Sequence, residues 1–240
     1  MDHGFSKTAQ YYDKLYAAKD YAGEVEHLIT VLGVEPGQRA TTLLDVACGT
    51  GLHLMHLSRH FQVEGLDICP ELLEMARLRN PTVTFHRADM AGFNLGRQFD
   101  VITCLFSSIG YMRTLDRLRA AMRSMASHLK QEGVLVIEPW FTPDQWHPNT
   151  VHALYIDEPK LKIARINTSL TEGRVSVFDL HHLIGTPEGT EHIVEHHELG
   201  LFEREEMLAA LEGSGLSVTY DPVGLTGRGL YLGVRTPREV

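Results

Sequence analysis

The sequence predicts an α/β fold: a mostly parallel sheet flanked by helices, carrying an antiparallel β insert after its fifth strand. Three observations carry that prediction. Short apolar runs alternate with helical stripes from residue 43 to about 138. The first run closes in a glycine turn, Ala47-Cys48-Gly49-Thr50-Gly51, which opens directly into the stripe Leu52, Leu54, Met55, Leu57. From residue 142 to about 200 the alternation stops, and strand-like segments follow one another with only turns between them. Strand, glycine turn and helix make half of a βαβ unit. Such units assemble into parallel sheets whose ligands sit beyond the carboxyl ends of the strands.

Each element has its own signal. Residues 5 to 32 read as two helical pieces, with stripes Tyr11, Tyr12, Leu15, Tyr16 and Val25, Leu28, Ile29, Leu32 on either side of Lys19-Asp20-Tyr21. These tyrosines suit an apolar face packed on the sheet, or a lid over a molecule bound at the first strand. Gly33 and the turn Glu35-Pro36-Gly37 end the segment. Leu43 to Val46 is short and wholly apolar apart from Asp45, the pattern of a strand covered on both faces. Gln62 to Leu66 is the second strand and ends in Asp67. Pro70 to Arg79 is a helix with proline at its start. Val83 to His86 is the third strand and Phe99 to Phe106 the fourth, with Ser107-Ser108-Ile109-Gly110-Tyr111 at its end. Leu115 to Leu129 is a helix, and Gly133 to Glu138 is the fifth strand, leading into Pro139-Trp140-Phe141. The insert, residues 142 to 200, is read as a three-stranded meander over Leu161–Ser169, Val175–Ile184 and His192–Leu201. It could roof the pocket or form a homodimer surface, and the residues alone leave both open. Glu203 to Leu211 is a helix, and Leu216–Tyr220 and Leu230–Val234 form an antiparallel edge. The whole, residues 1 to 240, is read as one domain.

The glycine turn defines the chemistry. Gly49 and Gly51 allow positive φ, so that backbone amides can face a bound molecule. The third glycine of a dinucleotide fingerprint is missing, since Leu54 stands there, and no lysine follows as in a phosphate loop. Asp45 at the end of the first strand can accept from a ligand cation. Asp67 at the end of the second can bind both hydroxyls of a ribose. Asp89 can accept from an adenine amino group while Met90 packs against the ring. A nucleoside without phosphate but with a small polar tail fits these groups, and S-adenosylmethionine (SAM) answers that description.

Bulk composition narrows the field. The 22 basic and 31 acidic side chains give a net charge of -9, which repels nucleic acid. The hydrophobic fraction of 43% suits a globular chain. No apolar run approaches the roughly 18 residues of a membrane span, and Met1 to Phe5 lacks the plan of a signal peptide. A cytoplasmic protein is expected. The three cysteines, Cys48, Cys69 and Cys104, lack ligand spacing and read as small buried hydrophobes. Among 14 histidines, His181-His182, His192, His196 and His197 lie on insert strands, with His192 and His196 on one face and His197 on the other. Nothing completes a metal site at ligand spacing, and none is expected. There is no G-x-S-x-G elbow, so covalent catalysis is not expected either.

With these residues in view, D-V-A-C-G-T-G followed by Asp67 and Ala88-Asp89-Met90 resembles the class I SAM-dependent methyltransferases. That resemblance implies a Rossmann-like seven-stranded sheet. Narrower stretches resemble the nucleotide-linked aminodeoxysugar N,N-dimethyltransferases of macrolide biosynthesis: Tyr12-Asp13, Lys19-Asp20-Tyr21, F-S-S-I-G-Y, V-I-E-P-W-F, Leu201 to Glu205 and Thr226 to Leu230. The resemblance implies that Asp67 holds the SAM ribose, that Asp89 and Met90 hold adenine, and that Asp45 and the Ala47–Gly51 turn surround the methionine part. Lys19, Tyr21, Ile68 and Phe106 would complete the cofactor site. Tyr12, Ser107, Tyr111, Glu138, Trp140, His181 and Arg228 would surround a nucleotide sugar, with Arg228 on its anionic part. Tyr12, Tyr111, Glu138 and His181 would orient the amine or take its proton. Trp140-Phe141 and His181-His182 depart from the family pattern and leave the acceptor sugar open. Another small-metabolite O- or N-methyltransferase and a SAM-binding protein without turnover remain as alternatives.

Overall fold

A computed structural model describes residues 5–34 and 41–236, so the expected turn at Glu35-Pro36-Gly37 lies outside the described residues. A short helical segment, α1 (Tyr12–Leu15), and a longer helix, α2 (Tyr21–Leu32), precede the first strand. Asp20 caps α2 by accepting from the Gly23 amide, and Gly33 ends it at φ 63°. Then come β1 (Thr41–Val46), α3 (Leu52–Leu57), β2 (Phe61–Asp67), α4 (Pro70–Arg79), β3 (Thr84–Arg87), β4 (Phe99–Cys104), α5 (Leu115–Ser127) and β5 (Leu129–Ile137). The chain continues with β6 (Val151–Glu158), β7 (Leu161–Thr168), β8 (Leu170–Glu172), β9 (Val175–Thr186) and β10 (Gly189–Gly200). It finishes with α6 (Arg204–Glu212), β11 (Leu216–Asp221) and β12 (Leu230–Arg235).

The main sheet has seven strands in the order β11-β12-β5-β4-β1-β2-β3. β1 pairs in parallel with β2 and β4, β2 with β3, and β4 with β5, whereas β12 is antiparallel to both β5 and β11. Strand order reverses at β1, so the carboxyl ends of β1 and β4 flank a natural crevice. Pleat alternation explains why Leu43 and Leu44 are both fully buried. Leu43 packs with Val25, Leu28 and Val136 on the α2 side. Leu44 packs with Ile102, Met122 and Leu135 on the α5 side.

The insert departs from expectation. It is a five-stranded sheet, not a three-stranded meander, in the order β10-β9-β7-β6 with β8 paired to β9. β6 escaped the sequence reading because Val151, His152, Ala153, Tyr155 and Asp157 are all exposed. An edge strand of this kind shows little apolar-polar alternation. β5 also begins at Leu129, not Gly133. Leu129 already pairs with Phe99, and the extra residues before Val134 pairs with Val101 lie on β5; α5 ends at Ser127.

Ile102 is fully buried in the central strand β4. Ile102→Ala should lower the unfolding free energy by about 2–5 kcal/mol through lost burial and a residual cavity, read as a shift in urea midpoint at unchanged slope.

Candidate active site

The turn after β1 forms the floor of a cavity lined by Tyr12, Tyr21, Asp45, Ala47, Gly49 and Phe106, among others. Gly51 sits at φ 74°, and a side chain there would meet Asn80 Nδ2 at 2.7 Å, so glycine lets α4 approach. Gly49, at φ 55°, donates its amide to Asp67 Oδ2 at 2.8 Å. Cys69 donates to Asp67 Oδ1 at 2.9 Å. One carboxylate therefore ties the turn after β1 to the loop after β2. Ile68 beside it is 41% exposed, an apolar surface on the open side of that loop.

Asp45 is 2% exposed, and Thr103 Oγ1 donates to its Oδ1 at 2.7 Å. Burial pushes its pKa up to about 6, because ionisation in a poorly solvated site is costly. The Tyr21 hydroxyl is buried without a hydrogen-bond partner, on the wall of the same cavity. Lys19 pairs with Glu24, and its ammonium lies 4.4 Å from the Phe106 ring centre and 5.2 Å from that of Tyr21. His53 Nε2 also reaches Glu24, at 2.9 Å. Burial opposes the Glu24 charge, but the hydrogen bonds from His53 and Lys19 outweigh it and hold the pKa below the ordinary value. Beyond β3, Asp89 accepts from the Ala91 amide and from Arg117, at 2.9 and 2.7 Å. Met90 is buried.

A second group of side chains adjoins this cavity. Phe106 and Ser107 have φ of 51° and 61°, a conformation that non-glycine residues hold only when their surroundings enforce it. Here Phe106 donates its amide to Glu138 Oε2 at 2.6 Å. Ser107 Oγ donates to the Pro139 carbonyl at 2.7 Å and accepts from Arg228 at 2.8 Å. The Arg228 guanidinium lies 5.2 Å from the Trp140 ring centre and 4.8 Å from that of Phe141. Burial lowers its pKa while Glu138 and Glu24 work the other way, and a guanidinium stays charged under such conditions. Trp140 Nε1 donates to Ser176 at 2.8 Å, docking the insert against β5. Tyr111, on a 3-10 turn over Ser108–Met112, shares a 2.9 Å hydrogen bond with His197 Nδ1. Burial raises the Tyr12 and Tyr111 hydroxyls well above the ordinary range, so both are neutral at physiological pH.

Residues 43–133 match the family model described as a methyltransferase domain. A Streptomyces fradiae dTDP-3-amino-3,6-dideoxy-alpha-D-glucopyranose N,N-dimethyltransferase is 39% identical over 94% of this chain and 90% of its own. A Streptomyces venezuelae dTDP-3-amino-3,4,6-trideoxy-alpha-D-glucopyranose N,N-dimethyltransferase is 38% identical over 94% of this chain and 97% of its own. The chain belongs to this family of sugar N,N-dimethyltransferases. The SAM-bound structure of CalS10, an amino pentose methyltransferase from Micromonospora echinaspora, is similar at TM-score 0.84 and 35% identity, covering 98% of this chain and 99% of that one. The protein is thus a SAM-dependent methyltransferase on a class I sheet.

Two of the residues expected at the site have surroundings that the sequence did not show. Glu138 is fully buried, and its two oxygens accept from the Phe106 amide and from the Thr226 hydroxyl. It holds the loop and is occupied as an acceptor. His181 is exposed and stacks on His192 with ring centres 5.4 Å apart. Alternation along β9 turns His181 outward and His182 inward. Sequence reasoning placed Tyr16 in the tyrosine stripe but did not single out Arg165, Glu195 or the inward position of His197. Arg165 donates to the Tyr16 hydroxyl at 3.2 Å. Glu195 accepts from the Thr8 hydroxyl at 2.6 Å and from the Thr8 amide at 3.0 Å. Strand parity had already separated His197 from His196, and that was the only signal available.

Asp45 gives a stability prediction with a definite sign. Its folded pKa of about 6 exceeds the ordinary carboxylate value, near 4, of the unfolded chain. Between those values the folded state binds more protons, so stability falls as pH rises through the window. Urea unfolding of wild type and Asp45→Asn should agree near pH 4, and by pH 7 the variant should be more stable by ~3 kcal/mol.

Proposed function

We propose that this enzyme transfers methyl groups from SAM to the amino group of a dTDP-linked aminodeoxysugar, forming the N,N-dimethyl product. The observation that carries this reading is the juxtaposition of two unlike sites across one loop. Phe106 lines the cofactor cavity, and the adjoining Ser107 holds Arg228 over two aromatic rings. A half-buried guanidinium on an aromatic platform suits a diphosphate with an attached base, in a chain whose net charge would otherwise repel it.

The residues fit SAM. Asp45 is buried and costly to ionise unless a cation joins it. The Tyr21 hydroxyl faces the cavity without a partner, and a side chain at Gly49 would meet nothing within 4 Å. In this reading Asp45 and the turn amides take the methionine part, Asp67 the ribose, and Asp89 and Met90 the adenine. When bound, SAM supplies a methyl carbon already activated by the sulfonium.

The chain's own task is placement. An amine needs only an unprotonated lone pair in line with that methyl, and holding both partners in register accounts for much of the acceleration. Tyr12 and Tyr111 are neutral hydroxyls close to the cavity, able to orient the amine without trapping it as a salt. The five-stranded insert roofs the acceptor side, with Trp140 docked to Ser176.

Incubation with SAM and a panel of aminosugar nucleotides should give products heavier by about one and then two methyl groups, detected by mass spectrometry. Absence of both products across the panel, with SAM binding intact, would refute the acceptor assignment. Arg228→Met should raise KM for the nucleotide sugar by roughly 10- to 100-fold, the worth of charged hydrogen bonds. Calorimetry should find its SAM affinity unchanged. Asp67→Ala should do the reverse, weakening SAM binding first.

A further inference from the structure

Beneath the insert, the inward residues of β9 and β10 include His182 and His197, each 1% exposed. Both nitrogens of His182 and Nε2 of His197 lack hydrogen-bond partners. His197 is wedged between rings: it stacks on Phe178 with centres 5.4 Å apart and planes 15° from parallel, and Phe5 lies 4.7 Å away. Its hydrogen bond runs from Nδ1 to the Tyr111 hydroxyl, 2.9 Å long. Packing of this kind fixes the imidazole so that Nδ1 alone is presented to a neighbour.

We propose that His197 is a positioning residue for methyl transfer: Nδ1 accepts the Tyr111 O–H, leaving the Tyr111 oxygen to face the substrate as an acceptor for an amine N–H. This rests on the acceptor being an amine, as inferred above. The direction of the bond matters. If His197 donated from Nδ1, Tyr111 would turn its own proton toward the pocket and compete for the lone pair that must attack the methyl carbon. With His197 as acceptor, Tyr111 holds an N–H and the lone pair stays available.

The surroundings keep the ring neutral, as an acceptor must be. Burial is the main cause of a pKa pushed down to about 4, reinforced by His182 on β9, His196 on β10 and Arg165 on β7, against a weaker opposite pull from Asp179. An imidazole this weakly basic does not take the proton of an alkylammonium. His197 therefore orients and does not serve as the base, and the proton released after each transfer leaves to solvent by another route.

The test has two arms. Nitrogen NMR of histidine-labelled protein should show His197 protonated on Nε2 and bare at Nδ1 at neutral pH, with the Nδ1 signal shifting in Tyr111→Phe. A proton on Nδ1 in the wild type overturns the proposal, whatever the substrate. In the kinetic arm, His197→Asn keeps an acceptor near the Nδ1 position, whereas His197→Gln places it near Nε2 and His197→Phe keeps only the packing. Gln and Phe should lower kcat by about 10- to 100-fold, the scale of a small misplacement, with KM for SAM unchanged. Asn should stay within a few-fold of wild type, and Tyr111→Phe/His197→Phe should be no slower than Tyr111→Phe. Equal losses in Asn and Gln, or multiplying losses in the double variant, overturn it. Failure of the wild type to methylate any aminosugar nucleotide would instead count against the acceptor assignment, and the NMR arm would then decide the tyrosine–histidine geometry alone.

Discussion

The structure depends on a single buried carboxylate. Glu138 stands at the end of β5, fully buried, and gathers the Phe106 amide and the Thr226 hydroxyl. Those two groups come from segments far apart in sequence. One is the loop that closes β4, the other the stretch before β12. An acid this deep is tolerable only when its oxygens are filled by donors, and these donors are the ones that shape the site. Phe106 is thereby held at positive φ against the cavity beside the β1 turn, and Ser107 is turned to meet Arg228. Without Glu138 the strained turn would have little reason to persist.

The first half of the chain was readable because burial there obeys simple periods. Leu43 to Val46, the glycine turn and Pro70 to Arg79 all fall where apolar spacing and turn chemistry place them. The insert resisted for physical reasons. β6 is an exposed edge with no buried stripe, and β8 has only three residues, all exposed. Asp45, Gly51 and Asp67 stand out in the sequence because they sit at strand ends and in the glycine turn, positions that periodicity and turn chemistry mark. Side chains that depend on the packing of one sheet over another do not. His181 and His182 are adjacent, and only the register of β9 against β10 decides which of them turns inward.

The described residues ahead of α2 gain their order from both halves of the molecule. Thr8 is fixed by Glu195 of the insert, while Asp13 meets Arg79 of α4 and the Thr50 hydroxyl in the glycine turn. Lys14 adds an exposed contact to Glu158 at 2.7 Å, worth little by itself. A one-turn helix such as α1 has no intrinsic stability. Its position, and that of Tyr12 and Tyr16, is set by these anchors at either end.

The shared turn at Phe106 and Ser107 also bears on how such an enzyme can change. Phe106 lines the cavity and the adjoining Ser107 holds Arg228, so under the proposed function a substitution there would disturb donor and acceptor sides at once. On the same reading, a change of acceptor would fall to the insert loops, since Tyr12 and Tyr21 line the same cavity as Asp45 and Gly49.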